Sequence, residues 1–161
     1  MTISVDLGGG STPRNPFNAQ RLINVDSSVE GPDVIKCLVG FEELPLEDSS
    51  VEFVTAYDFL EHLPRVIYKG DKLINPFINA MNDVWRILKP GGVFFASTPA
   101  YPHPHTFQDP THVNIITDGT YKYFTKEHLN FGRSYGFIGN FIMNKQGKTA
   151  SHVIWDMTAV K

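Results

Sequence analysis

Cysteine is nearly absent from this chain of 161 residues: Cys37 stands alone, so no disulfide can form within it. That suits a reducing interior, and a cytoplasmic location is expected. An excess of positive charge is also lacking. Lys and Arg number 14 against 17 Asp and Glu, the formal net charge is -3, and no basic run occurs. Sequence-independent binding to nucleic acid needs a positive footprint, so no nucleic-acid partner is expected. No stretch approaches the roughly 20 apolar residues of a membrane-spanning helix, and no membrane partner is expected. The opening Met1-Thr2-Ile3-Ser4-Val5 has neither the basic nor the long apolar region of a signal peptide.

What is there is ordinary globular material. Hydrophobic residues make up 42% and charged residues 19%, which excludes disorder for most of the chain. The length suits one domain, residues 1–161, able to bury a core without staples. Seven short apolar runs rich in β-branched and aromatic residues read as strands: 3–7, 21–25, 34–39, 51–57, 93–97, 137–143 and 152–160. A helix is expected from Asn75-Pro76, with Asn as N-cap and Pro at the first helical position. Phe77, Met81, Val84, Trp85 and Leu88 then share one face, and Lys89-Pro90-Gly91-Gly92 stops it. A second helix is expected over 126–135, capped by Thr125 and ended by Gly136, with a short helical turn around 59–63. Strand, glycine turn, strand, then strand, helix, strand is the order of a doubly wound α/β fold. Such folds place ligands beyond the carboxyl ends of their strands.

The residues at those ends are informative. Val5-Asp6-Leu7 runs into Gly8-Gly9-Gly10, where the missing Cβ atoms let backbone approach a ligand. The next strand ends in Asp26, a carboxylate placed to accept the ribose hydroxyls of an adenosyl group. A dehydrogenase would instead show Gly-x-Gly-x-x-Gly and a long helix, which Gly8-Gly9-Gly10-Ser11-Thr12-Pro13 does not. Pro13 and Pro16 leave no room for a full crossover helix before the second strand, so that helix is expected to be reduced.

Three further segments occur in order: Leu44-Pro45-Leu46-Glu47-Asp48-Ser49-Ser50-Val51, then Leu60-Glu61-His62-Leu63, then Arg86-Ile87-Leu88-Lys89-Pro90-Gly91-Gly92. Over roughly residues 3 to 100 this succession resembles the class I S-adenosylmethionine-dependent methyltransferases, particularly the methyltransferase type 11 group. The resemblance implies a Rossmann-like, mostly parallel seven-stranded sheet with an antiparallel C-terminal strand. It implies S-adenosylmethionine as cofactor and S-adenosylhomocysteine as product. By the same resemblance Gly8 and Gly10 line the methionine part with Asp6 beneath the turn, and Asp26 holds the ribose. Phe41 and Glu42 flank the adenine, although the family often has Asp where Phe41 stands. Tyr57 and Asp58 border the methyl group. Amino-methylases of bases carry Asp/Asn-Pro-Pro-Tyr/Phe at that point, and Tyr57-Asp58-Phe59-Leu60 does not match it.

After the fifth strand, His103, His105 and His112 fall within ten residues, beside Asp109, in a proline-rich loop. Transfer of a methyl group to oxygen often needs a base for the acceptor's proton, and histidine suits that role. His112 is the expected base, with Asp109 orienting it or the acceptor; the bland alternative is a histidine that caps a turn. No metal site is expected, because this spacing matches no recognised ligand pattern. Asp109-Pro110-Thr111-His112, followed by Tyr121, Tyr123 and Phe124, also resembles small methyltransferases of phages and surface-sugar gene clusters. The expected acceptor is therefore a small, polar, sugar-like molecule. His62, His128 and His152 read as structural, and Cys37 as a small buried hydrophobe. The first strand starts close to Met1, so covering N-terminal helices are expected to be absent and a homodimer to close the cleft. The alternative to an enzyme is a non-catalytic scaffold on the same fold.

Overall fold

The computed structural model describes residues 1–128 and 131–161. The β-branched runs pair as strands β1 (Ile3–Leu7), β2 (Arg21–Val25), β3 (Val34–Ile35), β4 (Val51–Tyr57), β7 (Leu88–Pro99), β8 (Phe141–Lys148) and β9 (His152–Ala159), with a separate hairpin of β5 (Ile67–Lys69) and β6 (Lys72–Ile74). The seven-stranded sheet has the order β3-β2-β1-β4-β7-β9-β8. Neighbours are parallel from β3 through β7, and β9 is antiparallel to both β7 and β8. The expected mixed, mostly parallel sheet is what forms.

Register explains which face is dry. Phe94, Ala96 and Thr98 pair with Met157, Trp155 and Val153, and all six are buried. Their alternates, Phe95 and Ser97 with Asp156 and Ile154, point to the other face and stay partly accessible. Helix α1 (Pro76–Ile87) lies on the dry side, burying Phe77, Ala80, Met81, Val84 and Ile87. Each large side chain buried there stabilises the fold by roughly 1.5–3 kcal/mol. Phe124 joins α1 to the sheet, with ring centroids 5.3 Å from Phe77 and 6.3 Å from Trp155.

The helix starts where the sequence places it, but its cap is different. The Asn75 side chain makes no capping bond; Pro76 removes one free donor and the Phe77 amide reaches the Pro64 carbonyl at 3.1 Å. At its other end the chain passes directly into β7, and Gly91 takes a positive φ of 78° in the irregular start of that strand.

Other differences have local causes. The strand expected at 34–39 pairs only at Val34 and Ile35, because the following residues turn back and the Leu38 amide bonds the Glu42 carboxylate. The strand expected at 137–143 begins at Phe141, since the Ile138 amide and the Gly136 carbonyl are held by Asn82 of α1. In place of a helix over 126–135 stand two short 3-10 turns, Lys126–His128 and Phe131–Tyr135; positions 129–130 lie outside the described residues. The turn expected near 59–63 is a 3-10 turn at Leu60–His62.

Between β1 and β2 no helix forms, as the prolines foretold. The loop covers the sheet with two side chains instead: Phe17 stacks on Phe53 at 4.3 Å, and the Arg14 guanidinium lies 4.3 Å from the Tyr57 ring centroid. Across the other side, Arg86 ties α1 to the 44–48 segment. It donates to the carbonyls of Leu44 and Leu46, each at 2.7 Å, and pairs with Asp83 at 2.8 Å and Asp48 at 3.0 Å. Replacing Arg86 with Ala should orphan these acceptors and lower stability by about 2–4 kcal/mol, measurable by urea denaturation.

Candidate active site

Three chain segments meet beyond the carboxyl ends of β1, β4 and β7. The first is the glycine turn. Gly8 has φ of 68° and its α-carbon faces the Phe59 ring, so an added Cβ would lie 2.3 Å from that ring. Gly10 also has positive φ, at 55°, but faces open space, as a ligand-lining glycine must.

Two carboxylates hold this turn. Asp6 is 2% exposed, and accepts the Arg14 amide at 2.7 Å and the Thr55 hydroxyl at 2.6 Å. Burial pushes its pKa up, and these bonds with the Arg14 charge offset that in part. Asp26 accepts the Gly10 amide at 3.0 Å and both the amide and the hydroxyl of Ser28, at 2.8 and 2.7 Å. Its partial burial would raise its pKa, but the bonds from Ser28, Gly10 and Val29 outweigh that and hold it below the ordinary carboxylate value. An ionised acceptor therefore stands beside the open face of Gly10. Asp26 is chemically suited to the ribose hydroxyls of the expected cofactor, and the open face of Gly10 to its methionine part. Phe41, 44% exposed on the loop after β3, is free to lie against a flat ring. Glu42 spends one carboxylate oxygen on the Leu38 amide.

The second segment leaves β4. Tyr57 lies under Arg14, and burial raises its pKa, with the Arg14 charge opposing and the Asp6 charge adding. Asp58 has φ of 49°, and its Oδ1 lies 2.8 Å from His152 Nε2. His152 Nδ1 in turn meets the Ser151 hydroxyl at 2.7 Å. His152 is thus bonded to a residue expected to border the methyl group, a link across 94 positions that no spacing announces.

Glu61 follows, wholly buried at 0% exposure. Its Oε2 accepts the Thr98 hydroxyl at 2.7 Å, and its peptide carbonyl accepts the amides of both Val113 and Asn114 at 2.9 Å. Its Oε1 has no hydrogen-bond partner among the described residues. Burial pushes the pKa of this carboxyl up, and the bond from Thr98 opposes it.

The third segment brings His112 and Asp109 to the same corner. His112 Nε2 lies 3.8 Å from Glu61 Oε1 and 3.9 Å from Asp109 Oδ2. The bond that orients the His112 ring goes to the His105 carbonyl, 3.0 Å from Nδ1. Because a carbonyl only accepts, Nδ1 carries a proton, and Nε2 is the ring nitrogen left to gain or lose one. Asp109 itself turns toward its own loop: its Oδ1 accepts the Thr111 amide and hydroxyl, which together hold its pKa low. The Thr111 oxygen then contacts His62 Nδ1 at 3.0 Å, and the rings of His62 and His112 meet edge to face at 4.8 Å. His103 and His105 pack on each other at 4.3 Å. Cys37 is buried, and burial with the nearby Glu42 and Asp83 charges pushes its thiol up to about 11.

The chain therefore brings together Gly8, Gly10, Asp6 and Asp26 at one end, and His112 with Asp109 at the other. Glu61, His62 and His152 are the site residues that sequence reasoning passed over; the motif Leu60-Glu61-His62-Leu63 was the available signal for two of them. A larger apolar cavity of about 850 Å3 lies apart from the glycine turn, lined by Arg65, Leu73, Phe77, Ile115, Tyr123 and Tyr135 among others.

The sheet order is that of the Rossmann-like class I methyltransferase fold. Residues 18–96 match the family described as "Methyltransferase domain", type 11. Solved structures agree in fold. A SAM-dependent methyltransferase from Aquifex aeolicus is 12% identical with a TM-score of 0.61, covering 99% of this chain and 82% of that one. The YcgJ protein from Bacillus subtilis is 13% identical with a TM-score of 0.60, over 99% and 92%. The methyltransferase component of a complex with a Haloferax volcanii methyltransferase activator is 15% identical with a TM-score of 0.61, over 99% and 83%. No curated protein matches the chain.

Asp6→Asn tests the frame of the glycine turn. It places an amide N–H2 where one of two buried donors needs an acceptor, and should destabilise by about 1–3 kcal/mol in thermal or urea unfolding.

Proposed function

We propose that this chain, acting as one domain, transfers a methyl group from S-adenosylmethionine to a hydroxyl of a small, polar, sugar-like acceptor. The observation that carries this reading is His112, whose ring is oriented through Nδ1 and whose Nε2 lies at the corner where β4 and β7 exit. The cofactor supplies an electrophilic methyl carbon on a sulfonium sulfur. As the acceptor oxygen bonds that carbon, the C–S bond breaks with its electron pair left on sulfur, giving S-adenosylhomocysteine. His112 Nε2 takes the acceptor's proton, and the His105 carbonyl holds the ring for it. Asp109, 3.9 Å from that nitrogen, stabilises the resulting imidazolium. Asp26 holds the ribose, Asp6 and the glycines hold the turn, Phe41 and Glu42 flank the adenine, and Tyr57 and Asp58 border the methyl group.

The acceptor class rests on the polar, histidine-rich corner and on the resemblance of residues 109–124 to sugar-cluster methyltransferases. A cytoplasmic homodimer is part of the same reading. The lone thiol supports the compartment, and the partly accessible sheet face supports a second subunit. No helix among the described residues is long and apolar enough to cross a membrane. A non-catalytic scaffold is the second reading, favoured by the helix-free loop after β1 and by Phe41.

Calorimetric titration with S-adenosylmethionine and S-adenosylhomocysteine should show saturable binding that weakens at least about tenfold in Asp26→Ala, since charge-assisted bonds to that carboxylate contribute about 1.5–3 kcal/mol. Normal binding by the mutant would refute the ribose assignment. With sugar-like acceptors, His112→Ala should bind cofactor normally and turn over roughly 10²–10⁴-fold more slowly. Cofactor binding with no methyl transfer to any acceptor would leave the scaffold reading in its place.

A further inference from the structure

We propose that Glu61, His62 and His112 form a binding site for a divalent transition-metal ion. One donor atom from each of the three lies within 4.8 Å of the others. They come from two loops about 50 positions apart, so their meeting is a property of the fold.

Glu61 supplies the independent observation. Its Oε1 is enclosed in protein and meets no donor among the described residues, while Oε2 is satisfied by Thr98. A buried carboxylate oxygen left without a partner costs free energy. The Thr98 bond to Oε2 holds the carboxylate in this orientation, and the Val113 and Asn114 amides hold the backbone beneath it. What Oε1 faces is His112 Nε2 at 3.8 Å, too far for a hydrogen bond. Two potential ligand atoms, a carboxylate oxygen and an imidazole nitrogen, thus face one another without a direct bond.

His62 is set up in the same manner. The Thr111 hydroxyl gives its one proton to Asp109 at 2.6 Å, so it accepts from His62 Nδ1 at 3.0 Å. The proton of His62 is thereby fixed on Nδ1 and its lone pair on Nε2. Histidines that bind metal are commonly oriented by such a bond from the second ring nitrogen. Both histidines here have one, to a carbonyl and to a hydroxyl–carboxylate pair. Asp109 and Asp58 add negative charge around the gap.

Tetrahedral ligands at metal distances stand about 3.3 Å apart, so the present spacing closes with side-chain movements of about 1.5 Å or less. Imidazole with carboxylate and no thiolate suits Zn²⁺, Co²⁺, Ni²⁺ or Mn²⁺. Three protein ligands leave a position open, at the corner assigned above to the acceptor. A hydroxyl bound there becomes more acidic. With the ion in place His112 would serve as a ligand rather than as the base, and the proton of a bound hydroxyl would pass to the Asp109 carboxylate, 3.9 Å from His112 Nε2. Metal binding goes beyond the methyl-transfer reading and stands whether or not that reading does.

The test uses the full chain, treated with chelator, dialysed and titrated without S-adenosylmethionine. Calorimetry with ZnCl2 should show one ion per chain, binding with micromolar affinity or tighter and raising the melting temperature. Co²⁺ should give visible absorption bands of a four- or five-coordinate nitrogen–oxygen site. His62→Ala and His112→Ala should each weaken Zn²⁺ binding by at least about 100-fold, while His128→Ala, outside the cluster, should not. Glu61→Gln should do the same if it folds; the two histidine variants decide the matter if it does not. Absence of saturable binding at 100-micromolar Zn²⁺, on the order of a hundred times the expected dissociation constant, would overturn the proposal. So would binding that survives both histidine substitutions. Zn²⁺ binding without cofactor binding would separate this site from the methyl-transfer reading, and the reverse result would discard the metal and keep the enzyme.

Discussion

The crossover from β1 to β2 has no helix to give it shape, and the buried carboxylate of Asp6 supplies that shape. It fixes the loop at Arg14 and the neighbouring strand at Thr55 in one contact set. From there Arg14 lies over Tyr57, Phe17 lies on Phe53, and the Gly10 amide is in place for Asp26. A crossover helix would satisfy its own backbone and bury an apolar face. Here residues 11–20 do so only through a few turn bonds and the side chains of Phe17 and Ala19, and one desolvated acid takes on much of the task.

A second buried acid, Glu61, links the exits of β4 and β7 through Thr98, Val113 and Asn114. The two acids differ in one respect. Both oxygens of Asp6 have donors, whereas one oxygen of Glu61 has none among the described residues. Structural carboxylates are normally satisfied on both sides. The unsatisfied one sits among the histidines, where a ligand would complete it, which is why the chemistry is assigned to that corner.

Much of this was legible in the residues. Strands β1, β2 and β4 fall where the apolar runs begin and end, because runs buried on both faces leave an unambiguous signal. The missing crossover helix was legible from Pro13 and Pro16, and the start of α1 from Asn75-Pro76. Strand β8 was misplaced because its second half, Asn144 to Lys148, is polar and pairs with one neighbour only; an edge strand needs no apolar run. The hairpin of β5 and β6 escaped for the same reason, since Tyr68, Lys69, Lys72 and Leu73 are all exposed. At the site, Asp26 and His112 could be named from position alone. His62 and His152 could not, because their partners Thr111 and Asp58 lie 49 and 94 positions away.

The sheet order also governs how the chain reaches this structure. Val5 on β1 pairs with Val54 on β4, and Phe94 on β7 with Met157 on β9, so the central contacts close long loops. Helix α1 is the single α-helix longer than four residues among the described residues, and little else can form from local contacts first. Closing long loops before their reward arrives slows folding. The apolar strands that later form the centre therefore remain exposed during the search. Exposed apolar strands favour aggregation, so the pairing of β1 with β4 is the step that shelters this chain during synthesis.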